Sequence, residues 1–402
     1  MTLHAQTSMS FERRPLAHGA LARLVRRALP QFEVGQLHLV LPNGEAIVTA
    51  GAASGPSGVL IVGKWRALWR MMRAGEHGFS DGYVNGEWTT PDLGELLRFF
   101  VLNERAVGGR SGGSMFTRLR NRIWHRRRDN TLHGSRRNIA AHYDLGNAFY
   151  EHWLDAGMNY SSALYRCDEP LEMAQLTKLD RAAELLDLKG GERILEIGCG
   201  WGALAERLIG RFGATVKGLT LSTEQLAYCR GRMAGQPFDG QLQDYRNETG
   251  RYDRIVSIEM LEAVGERFWP VYFAKLRDCL AAGGSAVLQV ITIREDRFQS
   301  YRSRPDFIQR YIFPGGMLPT PAIIEREANA RGLRLVFHES FGESYARTLA
   351  EWRTRFVRAW PRIEQLGFDA RFRRMWEYYL TYCEIGFSQG MVDVGFFKLV
   401  PG

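Results

Sequence analysis

The stretch Arg193-Ile194-Leu195-Glu196-Ile197-Gly198-Cys199-Gly200-Trp201-Gly202 decides the fold. An apolar run broken by one acid leads into three glycines at alternate positions, and helical spacing begins at Ala203, so the stretch reads as strand, tight turn and helix. Glycine suits such a turn because a Cβ would block both positive φ and the close approach of a ligand, while the helix start offers unpaired N–H groups. This is the pattern of a nucleotide cradle. A dinucleotide fingerprint wants G-x-G-x-x-G, whereas the spacing here is G-x-G-x-G with Glu196 at the entrance of the turn. A carboxylate there repels a pyrophosphate but favours the ammonium of S-adenosylmethionine (SAM). SAM is therefore the expected cofactor, with Glu196, Gly198, Gly200 and Gly202 as its first candidate contacts. A purely structural strand-turn-helix is the plain alternative.

Outward from this turn, strands and helices alternate. Strands are expected at 193–197, 215–219, 240–243, 252–258, 285–292, 333–337 and 394–400. Helices are expected from Ser222, near 268–281 and from Pro321, with helical insertions at 346–360 and 370–387. Such alternation predicts an α/β fold with a mostly parallel seven-stranded sheet covered on both faces. A ligand of such a sheet lies beyond the carboxyl ends of its strands, so 196–202, 220–225, 243–244, 259–262 and 289–292 are the candidate segments.

The 402 residues, 45% hydrophobic, can bury a large core and imply two domains. Upstream, strands at 36–41, 45–50 and 59–62, a Gly/Ser-rich loop between the last two, a helix at 64–73 with Trp65, Leu68, Trp69 and Met72 on one face, and a helix near 92–102 make a smaller α+β unit. The expected organisation is a basic, partly disordered arm at 1–30, the α+β domain at 31–107 in contact with lipid or membrane, a Gly/Ser- then Arg-rich linker at 108–137, and the catalytic domain at 138–402. Five cysteines without metal spacing, no apolar run near ~20 residues and no secretory leader pattern point to a reducing cytoplasm, no metal and no membrane span.

Charge is unevenly placed. Residues 1–140 hold 20 Lys/Arg against 10 Asp/Glu, and the remaining 262 hold 33 against 34. The linker concentrates Arg118, Arg120, Arg122, Arg126, Arg127, Arg128, Arg136 and Arg137. At about 1 kcal/mol per cation near an anionic bilayer, these suffice for reversible docking. A solvated linker is the plain alternative, and no nucleic-acid motif is present.

Eight motifs together resemble the cyclopropane-fatty-acyl-phospholipid synthases and the related mycolic acid cyclopropane synthases. They are HYDLGN (142–147), MNYSSALY (158–165), ILEIGCGWG (194–202), GLTLSTEQ (218–225), QDYR (243–246), EMLEAVGE (259–266), YIFPGG (311–316) and FGESY (341–345). The resemblance covers residue 137 to the end, more loosely the front. It implies a Rossmann-like SAM-dependent methyltransferase acting on the cis double bond of an unsaturated phospholipid acyl chain, most simply forming a cyclopropane ring through a carbocation. Bicarbonate is implied as the base that removes a proton from the new methyl group. Glu262 would hold that anion, joined by Tyr345, Ser162, Gln289 and backbone near Ile291. Like charges repel, so the carboxylate of Glu262 can hold the anion only through a shared proton.

For SAM the resemblance implies Tyr160 and Ser161 at the methionine end, Thr220 and Gln225 at the ribose, and Gln243 and Asp244 at the adenine, with Ser222 beside them. Three positions depart from the usual pattern: Ser162 stands for Cys, Ala263 for His and Gln289 for His. A methyl-branched or methylene product is therefore the alternative, and a small-molecule N-methyltransferase a more distant one. The expected partners are unsaturated phospholipid acyl chains and the anionic inner face of the membrane, in a cytoplasmic, peripheral setting. A homodimer is left open. Met375, Trp376, Tyr378, Tyr379, Tyr382 and Phe387 either pack a core or line an acyl channel. Tyr311 to Gly316 forms a lid or a rigid turn.

Overall fold

The computed structural model describes residues 19–108 and 145–402. His142, Tyr143 and Asp144 of the first motif, and the arginines of the linker, lie outside the described residues. The chain forms two compact units, one built from the N-terminal part with Gly367–Ile385, the other from the rest up to Leu366 with Gly386–Gly402.

In the first unit a four-stranded sheet runs in the order β2 (Ala46–Ala50), β1 (Val34–Val40), β3 (Ala53–Val62), β4 (Trp88–Thr89), with β1 and β3 parallel and the outer pairs antiparallel. The expected Gly/Ser-rich loop is instead the first half of β3. Gly58, where the strand becomes buried, lets the Leu93–Leu102 helix settle directly on it, since a Cβ there would stand 2.9 Å from Leu96 Cδ1. Asp92 caps that helix by accepting from the Glu95 N–H at 2.9 Å, a contribution of about 1 kcal/mol. Leu37, Leu39, Ile47, Leu60, Leu96 and Phe99 fill the core between helix and sheet.

The second unit carries the expected seven-stranded sheet. Its order is β10 (Leu333–Ser340), β11 (Val392–Pro401), β9 (Leu280–Ile293), β8 (Tyr252–Ile258), β5 (Arg193–Ile197), β6 (Thr215–Thr220), β7 (Phe238–Leu242). All pairs from β9 to β7 are parallel, while β11 runs antiparallel between β9 and β10. β5 is buried at every position after Arg193 because helices cover both of its faces, whereas β10 at the sheet edge alternates between covered and open positions. Leu195, Ile255 and Leu288 pack against Trp269, Tyr272 and Phe273 of the Trp269–Cys279 helix, forming the main core. Chain order turns back between β5 and β8, so a crevice opens at their carboxyl ends. The glycine turn and residues 259–262 flank it.

Candidate active site

After β5 the chain turns through Gly198, Gly200 and Gly202, all at positive φ, into the Ala203–Phe212 helix. Gly200 combines φ +53° with an open surface, where a Cβ would meet nothing within 4 Å and would fill the mouth of the turn. Glu196 is buried, and its Oε2 has no hydrogen-bond partner. Burial first, then Cys229, pushes its carboxyl well above the usual range, partly offset by Lys178. Cys199 and Cys229 are buried together, and the Cys229 thiol followed by burial raises the Cys199 pKa, so Cys199 is filler rather than a nucleophile.

Ser161, Thr220, Ser222, Gln225, Gln243 and Asp244 collect around this turn. Thr220 Oγ1 donates to Gln225 Oε1 at 2.8 Å, and Ser222 caps the Thr223–Arg232 helix by accepting from the Gln225 N–H. The Gln243 N–H donates to the Thr220 carbonyl, and Asp244 is clamped by Arg246. Ser161 is held by two residues that the sequence reading missed. Its hydroxyl accepts from Lys178 Nζ at 2.8 Å and its carbonyl from Gln175 Nε2 at 2.9 Å. Lys178 is fully buried, and that burial pulls its ammonium down to about 8 despite the nearby Glu259, Asp155 and Glu196. Tyr160 joins an aromatic wall with Tyr150, Trp153 and Trp352, ring centroids 5.4–5.6 Å away. A buried carboxyl with one unpartnered oxygen, a glycine turn at positive φ with open space at Gly200 and polar groups at the strand ends together fit SAM.

The residues expected around an anion do converge, but on a group of the chain itself. The carboxylate of Glu259, directly after β8, accepts from the Ser162 backbone N–H at 2.8 Å, Gln289 Nε2 at 2.7 Å and the Tyr345 hydroxyl at 2.8 Å. The Ser162 hydroxyl takes no part and donates to the Ala163 carbonyl. Glu259 adopts φ +49°, a left-handed conformation costing on the order of 1–2 kcal/mol in a non-glycine residue. Its N–H is fixed to the Gln289 carbonyl at 2.8 Å, so β9 holds both ends of the residue in place.

Glu262 stands apart from that trio. Its Oε1 accepts from the Ile291 N–H, and its Oε2 is buried without a partner. The donors that the resemblance assigns to bicarbonate, Tyr345, Gln289 and the Ile291 N–H, are thus already engaged by two carboxylates. As they stand, these residues do not fit a separate anion. Burial, then the neighbouring Glu259 charge, pushes the Glu262 carboxyl up to about 8. Burial also raises Glu259, against the pull of its three donors. Because those donors favour charge, the negative charge of the pair sits on Glu259 and the proton on Glu262.

The segment after β9 also closes on this pair. Its wide helical turn, Ile308–Ile312, is followed by a Pro-Gly turn tied down by Gln309 Nε2 on the Gly316 carbonyl at 2.8 Å, and the Met317 N–H donates to the Glu262 carbonyl at 2.8 Å. The rigid-turn reading of 311–316 accords with these bonds. Tyr345 packs on Phe387 and Trp352.

Fold and site together define a SAM-dependent methyltransferase. Residues 130–397 match the model of the mycolic acid cyclopropane synthetase family, and the chain belongs to that family. It is 38% identical to the tuberculostearic acid methyltransferase of Mycobacterium tuberculosis, over 95% of this chain and 92% of that protein. It is 34% identical to the cyclopropane-fatty-acyl-phospholipid synthase of Escherichia coli, over 78% of this chain and 80% of that one. Among solved structures it resembles a mycolic acid cyclopropane synthase complexed with SAH and CTAB, at a TM-score of 0.62 and 30% identity, covering 66% of this chain and 97% of that one.

Proposed function

We propose that the enzyme transfers a methyl group from SAM to the cis double bond of an unsaturated phospholipid acyl chain, and that Glu259 is the base that completes the reaction. When bound, SAM supplies an electrophilic methyl group, with Tyr160, Ser161, Glu196, the glycine turn, Thr220, Gln225, Gln243 and Asp244 holding it. Methylation of one alkene carbon leaves positive charge on the other. Tyr150, Trp153, Tyr160 and Trp352 keep water from that cation. Glu259 then takes a proton from the acyl chain's new methyl group. If the freed C–H pair closes on the cationic carbon, the product is a cyclopropane. If a hydride first moves from the methylated carbon to its neighbour, the same proton loss gives a methylene branch on the chain.

The carboxylate of Glu259, gripped by Ser162, Gln289 and Tyr345, is the observation that carries this reading. A one-carbon branch is favoured over a ring because a relative that matches nearly the whole chain is named a tuberculostearic acid methyltransferase. The ring is the second reading, favoured by the likeness to the Escherichia coli synthase. Incubation with dioleoyl phospholipid and SAM carrying a CD3 methyl tests both. Both products keep two deuteriums, and NMR separates vinylidene from cyclopropane signals. Phospholipid acyl chains left unlabelled by enzyme that binds SAM would refute the acyl reading.

A further inference from the structure

In the first unit the Trp65–Ala74 helix and the Glu76–Val84 helix form a tight hairpin. Their contact is fixed by Gly78, where a Cβ would stand 2.1 Å from the Arg70 carbonyl, and by Gly82, which faces Trp88 and Ala67. One side of the first helix, Ala67 with the stem of Arg70, is therefore turned inward. Arg66 and Arg70 reach the fully buried Glu87, at 2.8 and 2.9 Å, and anchor the helix from that side.

Among the described residues, the opposite face is exposed. Trp65, Trp69 and Met72, one face at i, i+4 and i+7, are 43%, 57% and 73% exposed. Two exposed tryptophans on ten residues are not explained by packing. Their surroundings are cationic. Lys64 precedes the helix, Arg73 stacks on the Trp69 ring at 5.0 Å, and the helix contains no acidic residue. Neither Lys64 nor Arg73 makes an ion pair among the described residues.

We propose that this helix docks the enzyme on an anionic phospholipid surface, lying in the plane of the headgroups with Trp65, Trp69 and Met72 inserted below them. Tryptophan prefers this boundary because its ring is apolar and its N–H finds partners among the headgroups. A short helix with a basic polar side and an aromatic apolar side has the make-up of an in-plane anchor. A second copy of the chain is a poorer occupant. A two-fold contact through this patch would set Lys64 and Arg73 of one copy against those of the other, whereas phospholipid phosphates neutralise them. The proposal rests on the reading that the substrate is an acyl chain of a membrane lipid, since an enzyme of soluble amines would have no use for such a face.

The full chain, without SAM, is sedimented with vesicles of phosphatidylglycerol and phosphatidylcholine (1:1) and with phosphatidylcholine alone. Trp65→Ser/Trp69→Ser/Met72→Ser should lower partitioning onto the mixed vesicles at least tenfold with SAM affinity unchanged. Lys64→Glu/Arg73→Glu should weaken it and flatten its dependence on salt. Unchanged partitioning in the triple variant overturns the proposal. So does a parent dimer that the triple variant splits into monomers with vesicle binding intact, which assigns the face to a second copy. Turnover on phospholipid dispersed in detergent separates the two readings. Equal turnover of parent and triple variant supports a role in docking alone. Loss there as well as on vesicles overturns the proposal, because the face then serves the fold or the site. A parent that docks yet methylates no dispersed lipid supports the docking face while refuting the acyl reading.

Discussion

Tyr345, near the start of the Gly342–Gln365 helix, donates its hydroxyl to Oε2 of Glu259 at 2.8 Å, joining the end of β8 to a helix that follows β10 in the chain. The bond stabilises the charged form of the carboxylate. Tyr345→Phe should therefore lower kcat by about 10- to 100-fold, from the roughly 1.5–3 kcal/mol of a hydrogen bond to a charged group. It should also move the rising limb of the kcat–pH profile to higher pH, since Glu259 loses a donor that holds its pKa down. An unshifted limb would show that Tyr345 is only a packing residue.

Glu259→Gln should leave SAM affinity intact and reduce kcat by about 10²–10⁴, the usual range for loss of a general base. Glu259→Gly removes the carboxylate, relieves the left-handed backbone and frees the donors of Ser162, Gln289 and Tyr345. Added formate or bicarbonate should then restore part of the activity in Glu259→Gly and none in the parent. Parent-like turnover of both variants in steady-state assays would remove Glu259 from the reaction.

Glu262 behaves differently, because its folded pKa of about 8 lies above the unfolded value. The folded protein therefore binds the proton more tightly, and the stability this gives is full below about pH 4.5 and lost as pH rises through about 8. Glu262→Gln keeps the neutral form at all pH. The variant should match the parent in urea unfolding at pH 5 and exceed it by a few kcal/mol at pH 9. Its kcat should stay within about tenfold of the parent. A collapse in kcat would instead return the proton-transfer role to Glu262.

Gly200→Val tests the cradle. The added side chain meets no protein atom within 4 Å of its Cβ but lies at the mouth of the turn, at a strained φ of +53°. Calorimetry should show SAM binding lost while circular dichroism shows the fold retained. Near-parental affinity would displace SAM from this turn.

The Arg126, Arg127 and Arg128 cluster lies outside the described residues, and its expected contribution to membrane contact is tested separately. Changing all three to Ala should weaken binding to anionic vesicles and its salt dependence, with SAM affinity unaltered. Unchanged sedimentation with vesicles would leave the segment as a linker only.

The strands of the catalytic sheet were legible because alternation and apolar runs report burial directly. β8 was expected at 252–258 and runs over Tyr252–Ile258. The stretch at 53–58 reads as a loop because Gly and Ser mark loops in isolation, whereas in the strand Gly55 lies against Val34 and Gly58 against Leu96. In the site, the motifs pointed to Ser162, Gln289 and Tyr345 but to an external anion as their common partner. Glu259 lay in plain view in EMLEAVGE, yet a left-handed φ at a glutamate leaves no mark in a sequence. Lys178 was more readable. It falls on the apolar face of the Leu171–Leu186 helix between Ala174 and Ala182, where a charge signals a buried partner.

A base on a side chain is present at every site in a one-to-one ratio, whereas a dissolved anion has to be captured from solution. If Glu259 takes the place of that anion, as proposed, turnover is indifferent to the carbon dioxide supply. Purified enzyme assayed at one pH in buffer purged of carbon dioxide would then turn over as fast as in buffer supplied with it.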